Sequence, residues 1–576
     1  MIRTRILALV ALVVAFLGQT GCADSSLPPP FPIFNRALTS GGTPQQLPLA
    51  DVATAIERLV GGGNGDVDLQ VGEGRELAAL YQPGGYGPLW VDAEGRPGGL
   101  AREALPLLSG ADSEGLDPED YGAEALERRA ARLAATVPPA SGDVAGFDVR
   151  LSLGMLRYLR HLHEGRIDPR AVGFQMAVPA EALDFPSLLR SALADGRIVE
   201  AAADLTPPFP QYRRLRAILA QYRSLAANAP VEPLPPPGRA VRPGGSYTGV
   251  EALRRRLIAL GDLLGDAAPP VEPTAYEGPL VTGVRRFQRR HGLAPDGVLG
   301  TQTYAALAVP IAQRVRQIEL ALERLRWLPG LRGRPAVIVN IPMFRLWAWD
   351  GGPWEGAPSF ETNVIVGRAM DTRTPVVVEE MRYLTFRPYW DVPQSILDAE
   401  ILPALERDPE HLVRQGMEIV LGPGDEARAV PATAENLSLL RRGLLRVRQR
   451  PGPNNALGLV KFIFPNNEQV FMHGTPAQEL FGRTRRDFSH GCVRVESPVD
   501  LAVWVLKDRP EWTRDRILTA MAGAGPQQVN LRQPISVVLF YTTAAIMPGE
   551  DTIHFAEDIY EHDARMEQAF QQERPQ

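Results

Sequence analysis

Two short segments in the last third of the sequence hold the residue types best suited to covalent chemistry. They are residues 471–475 (FMHGT) and residues 489–495 (SHGCVRV). A free thiol has a pKa of about 8.5, so only a few per cent is the nucleophilic thiolate at neutral pH. An imidazole within hydrogen-bond reach takes the thiol proton and later returns it to a leaving amine. His473 ends a predicted strand 19 residues before Cys492, a separation that a turn and a returning strand could close.

The neighbours of Cys492 have properties that the same chemistry would use. Gly491 lets the backbone approach a substrate closely, and the N–H groups around Cys492 could hold an oxyanion. Arg494 lies two residues further on and shares the face of Cys492 if the backbone is extended. From that face its guanidinium could bind a carboxylate through two parallel hydrogen bonds.

The spacing alone leaves two other interpretations open. Cys492 could be an inert core thiol and His473 a structural histidine, because a lone cysteine is most often a small buried apolar residue. Alternatively His473, His490 and Cys492 could be three zinc ligands, with a water in the fourth position.

Composition bounds the class of protein. With 576 residues, 45% hydrophobic and 22% charged, the chain has the makeup of a globular protein of three to four domains of about 150 residues each. The net charge of −6 gives no indication of nucleic-acid binding. Its two lysines, Lys461 and Lys507, follow Val460 and Leu506, which excludes a P-loop. The S-x-x-K, H-E-x-x-H and G-x-S-x-G motifs are also absent, which excludes the common serine and zinc hydrolase classes.

The N-terminus predicts export. Arg3 and Arg5 precede an apolar run at residues 6–17, which is too short to span a bilayer and suits a signal-peptide core. Small and polar residues follow and end at Gly21-Cys22, where Cys22 resembles a lipoprotein processing site. Lipidation at Cys22, simple cleavage and an N-terminal anchor all stay open. Cys492 is the only other cysteine, so no disulfide framework is expected.

Hydrophobic periodicity divides the rest of the chain. Residues 51–222 have mostly helical spacing, a Pro/Gly-rich linker follows at 230–245, and residues 247–307 look compact and helical. Beyond Arg334 the period changes to two, which predicts a mainly β region interrupted by helices and loops at 394–445. The predicted strands are 336–341, 345–349, 363–366, 376–378, 381–386, 461–464, 468–472 and 537–541.

The H-G-T and S-H-G-C-V-R pair resembles the signature of the L,D-transpeptidase catalytic domain, found in cysteine enzymes of peptidoglycan cross-linking. The resemblance implies Cys492 as nucleophile and His473 as general acid and base. It implies that His490, Gly491, Gly474 and Ser489 shape the site and its oxyanion environment, with Arg494 on the substrate side. It implies no metal and no cofactor.

Other segments extend the resemblance. Residues 284–293 and 296–300 look like a small helical peptidoglycan-binding module, whose arginines at 285, 286, 289 and 290 are either a solvated face or glycan and peptide contacts. Residues 87–91 and 114–118 resemble the scaffold domain of the large multidomain L,D-transpeptidases. Residues 387–393 resemble the entry to an inserted capping subdomain, where Tyr389 and Trp390 either line the acyl-donor cleft or are core aromatics.

The expected fold is therefore multidomain α+β, with a helical scaffold domain, a three-helix peptidoglycan-binding-like module and a predominantly β catalytic domain with a helical capping insertion. The expected boundaries are 1–22 export segment, 23–48 tether, 49–229 scaffold, 230–246 linker, 247–310 module, 311–334 connecting helix, 335–565 catalytic domain with an insertion at about 394–450, and 566–576 tail.

The resemblance also implies an exported, periplasmic enzyme. It would form a Cys492 thioester with a stem tetrapeptide and pass the acyl group to an amine, with carbapenems as inhibitors and with stem peptides and glycan as partners. A lipid tether would add membrane attachment, and no nucleic-acid partner is expected. The alternatives are an L,D-carboxypeptidase using the same thioester, a catalytically dormant wall-binding lipoprotein, and a zinc hydrolase.

Overall fold

The computed structural model of the protein describes residues 47–61, 69–70, 72–176, 183–228, 233–267, 272–331, 333–352, 356–369 and 372–572. The expected export segment, Cys22 and residues 23–46 of the expected tether lie outside these ranges. Within them, no helix combines the length and apolar character needed to cross a membrane.

The N-terminal part is helical, as the periodicity predicts. Helix α5 is buried along most of its 24 residues, and six other helices of this part pack around it. The last one, α8, instead buries Tyr212, Leu215 and Leu219 in the same core as the C-terminal β region. In the described ranges the α-helices are α1 Leu49–Val60, α2 Glu73–Tyr81, α3 Gly99–Ser109, α4 Ala123–Ala135, α5 Ser141–Glu164, α6 Phe185–Asp195, α7 Ile198–Leu205 and α8 Pro210–Asn228.

A small module follows, in which three helices enclose an apolar core. Leu280, Val284 and Phe287 are buried on one face of its central helix, at the spacing i, i+4, i+7 of an amphipathic helix. Within the described part of the module, the elements are β1 Gly245–Ser246, α9 Val250–Ala259, β2 Ala275–Tyr276, α10 Gly278–Arg290 and α11 Thr301–Ala308.

One arginine of α10 departs from the expected solvated or ligand-binding face. Arg285, Arg286 and Arg289 are exposed, but Arg290 is buried and forms an ion pair with Asp262 at 2.5 Å. The end of α10 lies against α8 and the C-terminal region, where the Arg290 guanidinium also reaches the Tyr222 hydroxyl at 3.4 Å. Arg290 is therefore an interior residue, because its end of the helix is covered by neighbouring elements.

The C-terminal region is built on strands that run before and after an insertion. Helix α12, Ile311–Arg326, leads into β3 Ala336–Asn340, β4 Arg345–Trp349, β5 Phe360–Gly367 and β6 Val377–Phe386. The chain then enters the insertion. In order, its elements are β7 Trp390–Asp391, α13 Gln394–Ile396, a π-helical turn Leu397–Ile401, α14 Leu402–Arg407, α15 His411–Arg414, β8 Met417–Leu421, β9 Arg428–Val430, α16 Ala434–Arg441 and β10 Arg446–Gln449.

After the insertion the chain returns to the main sheet and ends in a helix. The remaining elements are β11 Val460–Ile463, β12 Met472–His473, β13 Asp487–Ser489, β14 Val493–Val495, α17 Pro498–Val505, α18 Arg514–Ala522, β15 Gln527–Phe540, β16 Ala544–Ile546, β17 Ile553–Phe555 and α19 His562–Gln572. Residues 566–572, expected as part of a tail, belong to α19, where Met566 and Phe570 are buried.

In the described residues, nine strands form one sheet in the order β13-β5-β14-β12-β11-β6-β15-β3-β4. An additional pairing of β4 with β5 closes this sheet on itself. Its apolar side chains share a core with α8 and α12, which fixes the sheet against the helical part. Strands β12 and β14 lie side by side within it, so the fold brings the two candidate motifs together.

Three details differ from the sequence expectations within the confirmed α+β class. The insertion holds a four-stranded sheet, β7-β10-β8-β9, rather than helices and loops alone. Its strands are short and mix charged with apolar residues, and Met417, Ile419 and Val447 lie in the insertion's own core. The two predicted strands at 376–378 and 381–386 are one continuous strand, β6, which begins at Val377, so that only Val376 lies outside it. Of 468–472 only Met472 is in a strand, because the Asn466 side chain closes a turn on Val470.

Candidate active site

Strand register places His473 and Cys492 on neighbouring strands. In the parallel pair β12–β14, Met472 lies opposite Val493 and His473 opposite Arg494. Cys492 immediately precedes β14, and Val493 N–H donates to the Phe471 carbonyl at 3.0 Å. Because side chains alternate along a strand, Cys492 and Arg494 share the face on which His473 lies. The chain thus brings His473 beside the cysteine through a crossover that contains β13 and leads into a parallel strand, rather than through the returning strand that the spacing suggested.

The imidazole of His473 is 5% exposed and held by backbone. Its Nδ1 lies 2.5 Å from the Gly474 carbonyl oxygen. A carbonyl only accepts, so Nδ1 carries the hydrogen and Nε2 is the acceptor of the neutral ring. Burial, and then the Arg494 charge, lowers the pKa of His473 to about 3, against the opposing effect of the Gly474 and Leu457 carbonyls. The ring is therefore neutral at neutral pH, the form that a general base needs.

Cys492 is a part-buried free thiol in the described region. Burial raises its pKa, while the Phe471 N–H and the Arg494 charge lower it in part. The free protein therefore holds a neutral thiol beside a neutral imidazole, rather than a thiolate–imidazolium pair. Proton transfer from thiol to imidazole would have to accompany attack on a substrate.

Residues 489–492 carry the candidate nucleophile and are called the nucleophile loop here; Ser489 braces this loop from within. The buried Ser489 hydroxyl donates to the Cys492 carbonyl at 2.6 Å and accepts from the Gly491 N–H at 3.2 Å. Gly491 has φ +111°, a conformation that residues with a Cβ rarely adopt. The S-H-G-C spacing thus specifies a tight turn that ends at Cys492.

His490 points to the insertion instead of the sheet. Its Nε2 lies 2.8 Å from Glu400 Oε1, and Glu400 belongs to the π-helical turn Leu397–Ile401. The insertion therefore contacts the nucleophile loop directly. Sequence reasoning missed Glu400, since one carboxylate on a helical segment carries no motif.

Gly474 is held by close backbone packing. Its N–H donates to the Val460 carbonyl at 3.0 Å. Gly458, with φ +63°, passes so near that a Cβ there would come within 2.7 Å of the Gly474 carbonyl carbon. Glycine at 458 therefore lets the preceding loop lie against the H-G-T segment, and no sequence motif marks this second glycine.

Arg494 brings positive charge to the site. Burial, and then the charge of the exposed Arg368, lowers its pKa, and its buried Nε atom has no hydrogen-bond partner. Neither Arg494 nor Arg368 joins an ion pair among the described residues. Two guanidiniums near Cys492 that pair with no described carboxylate favour an anionic ligand group. Arg368, at the end of β5, had no sequence signal of its own.

Tyr389 and Trp390 lie at the start of the insertion. The guanidinium of Arg448 sits 4.0 Å from the Tyr389 ring centroid, and Trp390 packs on the insertion's core. Both side chains are half-buried. These contacts are structural, and a substrate contact for either residue stays a prediction.

The three candidate zinc ligands do not converge. His473 Nδ1 faces the Gly474 carbonyl and His490 Nε2 faces Glu400. Across the described ranges, no group of three His, Cys, Asp or Glu side chains is placed to hold a metal ion.

Comparison with known proteins matches three parts of the chain to family models. Residues 75–219 match a "Scaffold domain", residues 246–307 a "Putative peptidoglycan binding domain" and residues 334–516 an "L,D-transpeptidase catalytic domain". The third match contains both His473 and Cys492.

A Haemophilus influenzae protein named "Putative L,D-transpeptidase" is 30% identical over 279 residues, which are 48% of this chain and 54% of that protein. The chain thus spans about half the length of this relative. A solved L,D-transpeptidase structure from Xylanimonas cellulosilytica has 19% identity, covering 53% of this chain and all of that one, but its TM-score of 0.17 carries no argument. On the family matches, residues 334–516 are a catalytic domain of the L,D-transpeptidase family, in a chain that also carries a scaffold domain and a peptidoglycan-binding domain.

Proposed function

We propose that this protein is a peptidoglycan L,D-transpeptidase in which Cys492 carries the acyl group as a thioester. The observation that carries the proposal is the β12–β14 register. It places His473 opposite Arg494, and Cys492 lies two residues before Arg494 along the chain. On one face, a neutral imidazole, a thiol and a guanidinium that joins no ion pair among the described residues supply a base, a nucleophile and an anion contact.

The reaction has two halves. His473 Nε2 takes the Cys492 proton as sulfur attacks the carbonyl before the terminal D-residue of a stem tetrapeptide. The oxyanion collapses, the C–N bond breaks, and the D-residue leaves with the proton returned by His473. In the second half an acceptor amine attacks the thioester, its proton passes to His473, and the new amide forms as the thiol is restored.

Arg494 has a specific part in this proposal. Its guanidinium, with Arg368 nearby, would bind the carboxylate of the terminal D-residue and so orient the scissile carbonyl. Tyr389 and Trp390 would border the same cleft from the insertion side. Gly474, Ser489, His490 and Gly491 would keep the site in shape through the contacts described above.

The peptidoglycan-binding match supports an extracytoplasmic role at the cell wall. Stem peptides and glycan would be the partners, with carbapenems acylating Cys492. Attachment through a lipid on Cys22 is part of the proposal only as one option beside simple cleavage. Labelled fatty acid incorporated by the native chain, and lost in Cys22→Ala, would establish it.

The test uses purified protein and disaccharide-tetrapeptide, with Cys492→Ala as the matched control and products read by mass spectrometry. A dimer lighter than two substrates by one terminal amino acid, absent from the control, is the expected result. Tripeptide monomer without dimer would move the function to an L,D-carboxypeptidase. No product from either protein would contradict the enzyme and favour a wall-binding role.

A further inference from the structure

The nucleophile loop is also held from outside by a threonine that no motif marks. The Thr374 hydroxyl donates to the Gly491 carbonyl at 2.7 Å. The neighbouring Thr372 hydroxyl and Arg368 N–H donate to the Ser489 carbonyl at 3.1 and 3.0 Å. Thr374 is 1% exposed, so its bond to the loop is made away from water.

Thr374 is in turn fixed on two sides. Its hydroxyl accepts from the Gly367 N–H at 2.8 Å, and its own N–H donates to the Tyr560 hydroxyl at 3.2 Å. That hydroxyl donates to the Gly367 carbonyl at 2.6 Å. The backbone here is close-packed, because a Cβ on Gly367 would come within 1.9 Å of the Thr372 carbonyl oxygen. Thr374 therefore has little freedom to move.

Tyr560 links this brace to the C-terminal segment. It is fully buried, and its N–H donates to the Tyr541 hydroxyl at 3.0 Å. The Tyr541 hydroxyl donates to Asp558 at 2.6 Å, and Asp558 also accepts from the His562 N–H at 2.9 Å. The support thus comes from residues beyond 516, where the catalytic-domain match ends.

Peptide geometry gives this contact a consequence for the chemistry. In a planar trans peptide the C=O and the following N–H point in opposite directions. With the Gly491 carbonyl held by Thr374, the Cys492 N–H must point the other way. No acceptor takes the Cys492 N–H among the hydrogen bonds of the described residues. A free N–H on the nucleophile itself is well suited to an oxyanion.

We propose that Thr374, held in place by Tyr560, is a positioning residue that aims the Cys492 N–H at the oxyanion of the acylation step. The inference rests on the proposed function, since it requires Cys492 to be acylated. It assigns to the C-terminal segment, through Tyr560, a part in catalysis rather than in folding alone.

The experiment separates two reactions of the same sulfur. Acylation by a carbapenem passes through an oxyanion, whereas alkylation by iodoacetamide is a displacement at a CH₂ group and forms none. Both are followed on the full chain carrying Cys22→Ser, so that Cys492 is the one cysteine. The variants are Thr374→Val, Thr374→Ser and Tyr560→Phe. The matched control is Thr362→Val, because the Thr362 hydroxyl is buried without a hydrogen-bond partner.

Thr374→Val is expected to slow acylation about 10- to 100-fold, a smaller loss of rate than the removal of an oxyanion donor itself causes. It should change the alkylation rate less than about threefold. Thr374→Ser keeps the hydroxyl and should restore most of the acylation rate. Tyr560→Phe should slow acylation about three- to tenfold, and it keeps the test open if Thr374→Val fails to fold. Thr362→Val should match the parent in both reactions.

Equal loss of both reactions in Thr374→Val, or no loss in either, would overturn the inference. So would a Thr374→Ser variant as slow as Thr374→Val. A parent protein that is alkylated but never acylated, and that makes no product from tetrapeptide, would instead contradict the proposed function.

Discussion

His473 lies opposite Arg494 across two parallel strands, and the arginine charge acts on both members of the candidate pair. It lowers the pKa of His473, so it opposes an imidazolium there. It also lowers the pKa of Cys492, although burial more than offsets this and leaves that pKa raised. The result is a neutral pair, which under the proposed mechanism becomes charged only while a substrate is being attacked.

This electrostatic arrangement predicts the pH dependence of thiol reactivity. Because the Cys492 pKa is raised, the thiolate fraction should increase about tenfold for each pH unit between pH 6 and 8, without a plateau. Iodoacetamide alkylation of the Cys22→Ser protein, followed by mass spectrometry, measures it. A rate that is level across this range would reveal a preformed thiolate and contradict the neutral pair.

Arg494→Ala should weaken reaction with a substrate that has a free terminal carboxylate. Losing a charge-assisted hydrogen bond costs about 1.5–3 kcal/mol, or about 10- to 150-fold in kcat/KM. The same variant should lose only a few-fold on the terminal amide of that substrate. Arg382→Ala, an exposed arginine on β6, is the control and should behave as the parent. Equal losses of kcat/KM on the free acid and on its amide would show that Arg494 does not bind the terminal carboxylate.

Glu400→Ala tests the contact between the insertion and the nucleophile loop. His490 and Glu400 are partly solvated, so their bond should contribute about 0.2–1 kcal/mol. Amide hydrogen exchange should accordingly speed up by about 1.4- to fivefold at 397–401 and 489–492. Glu406→Ala removes another exposed pair of the insertion, with Arg441, and should leave 489–492 unchanged. An unchanged exchange rate in Glu400→Ala would mean that the contact does not hold the two segments together.

Asp262→Ala should destabilise the peptidoglycan-binding module strongly. It would leave the buried Arg290 guanidinium without its carboxylate, which costs about 3–5 kcal/mol. Glu251→Ala removes the more exposed pair with Arg254 and should cost less than about 1 kcal/mol. The two variants are compared by urea denaturation, with amide hydrogen exchange of the module's residues as the measure of its unfolding. Similar midpoints for the two variants would show that the buried pair is not needed for stability.

The sequence by itself determined the helical and β regions and the identity of the candidate pair. Helical spacing before residue 308 and period-two alternation after Arg334 arise from local side-chain burial, which periodicity records. Residue type was equally informative at the site, because a thiol, an imidazole and a flanking glycine have distinct chemistry at fixed spacing. The insertion's strands were missed because short runs that mix charged with apolar residues resemble a solvated segment.

Tertiary structure alone decided the contacts between segments distant in the chain. Thr374 and Gly491 are 117 residues apart, and Gly367 and Tyr560 are 193 apart, so no local pattern connects them. The burial of Arg290 and the pairing of His490 with Glu400 depend likewise on which elements come to lie beside them. The charge state of His473 has the same origin, because burial and a facing arginine shift its pKa only once β12 and β14 are adjacent.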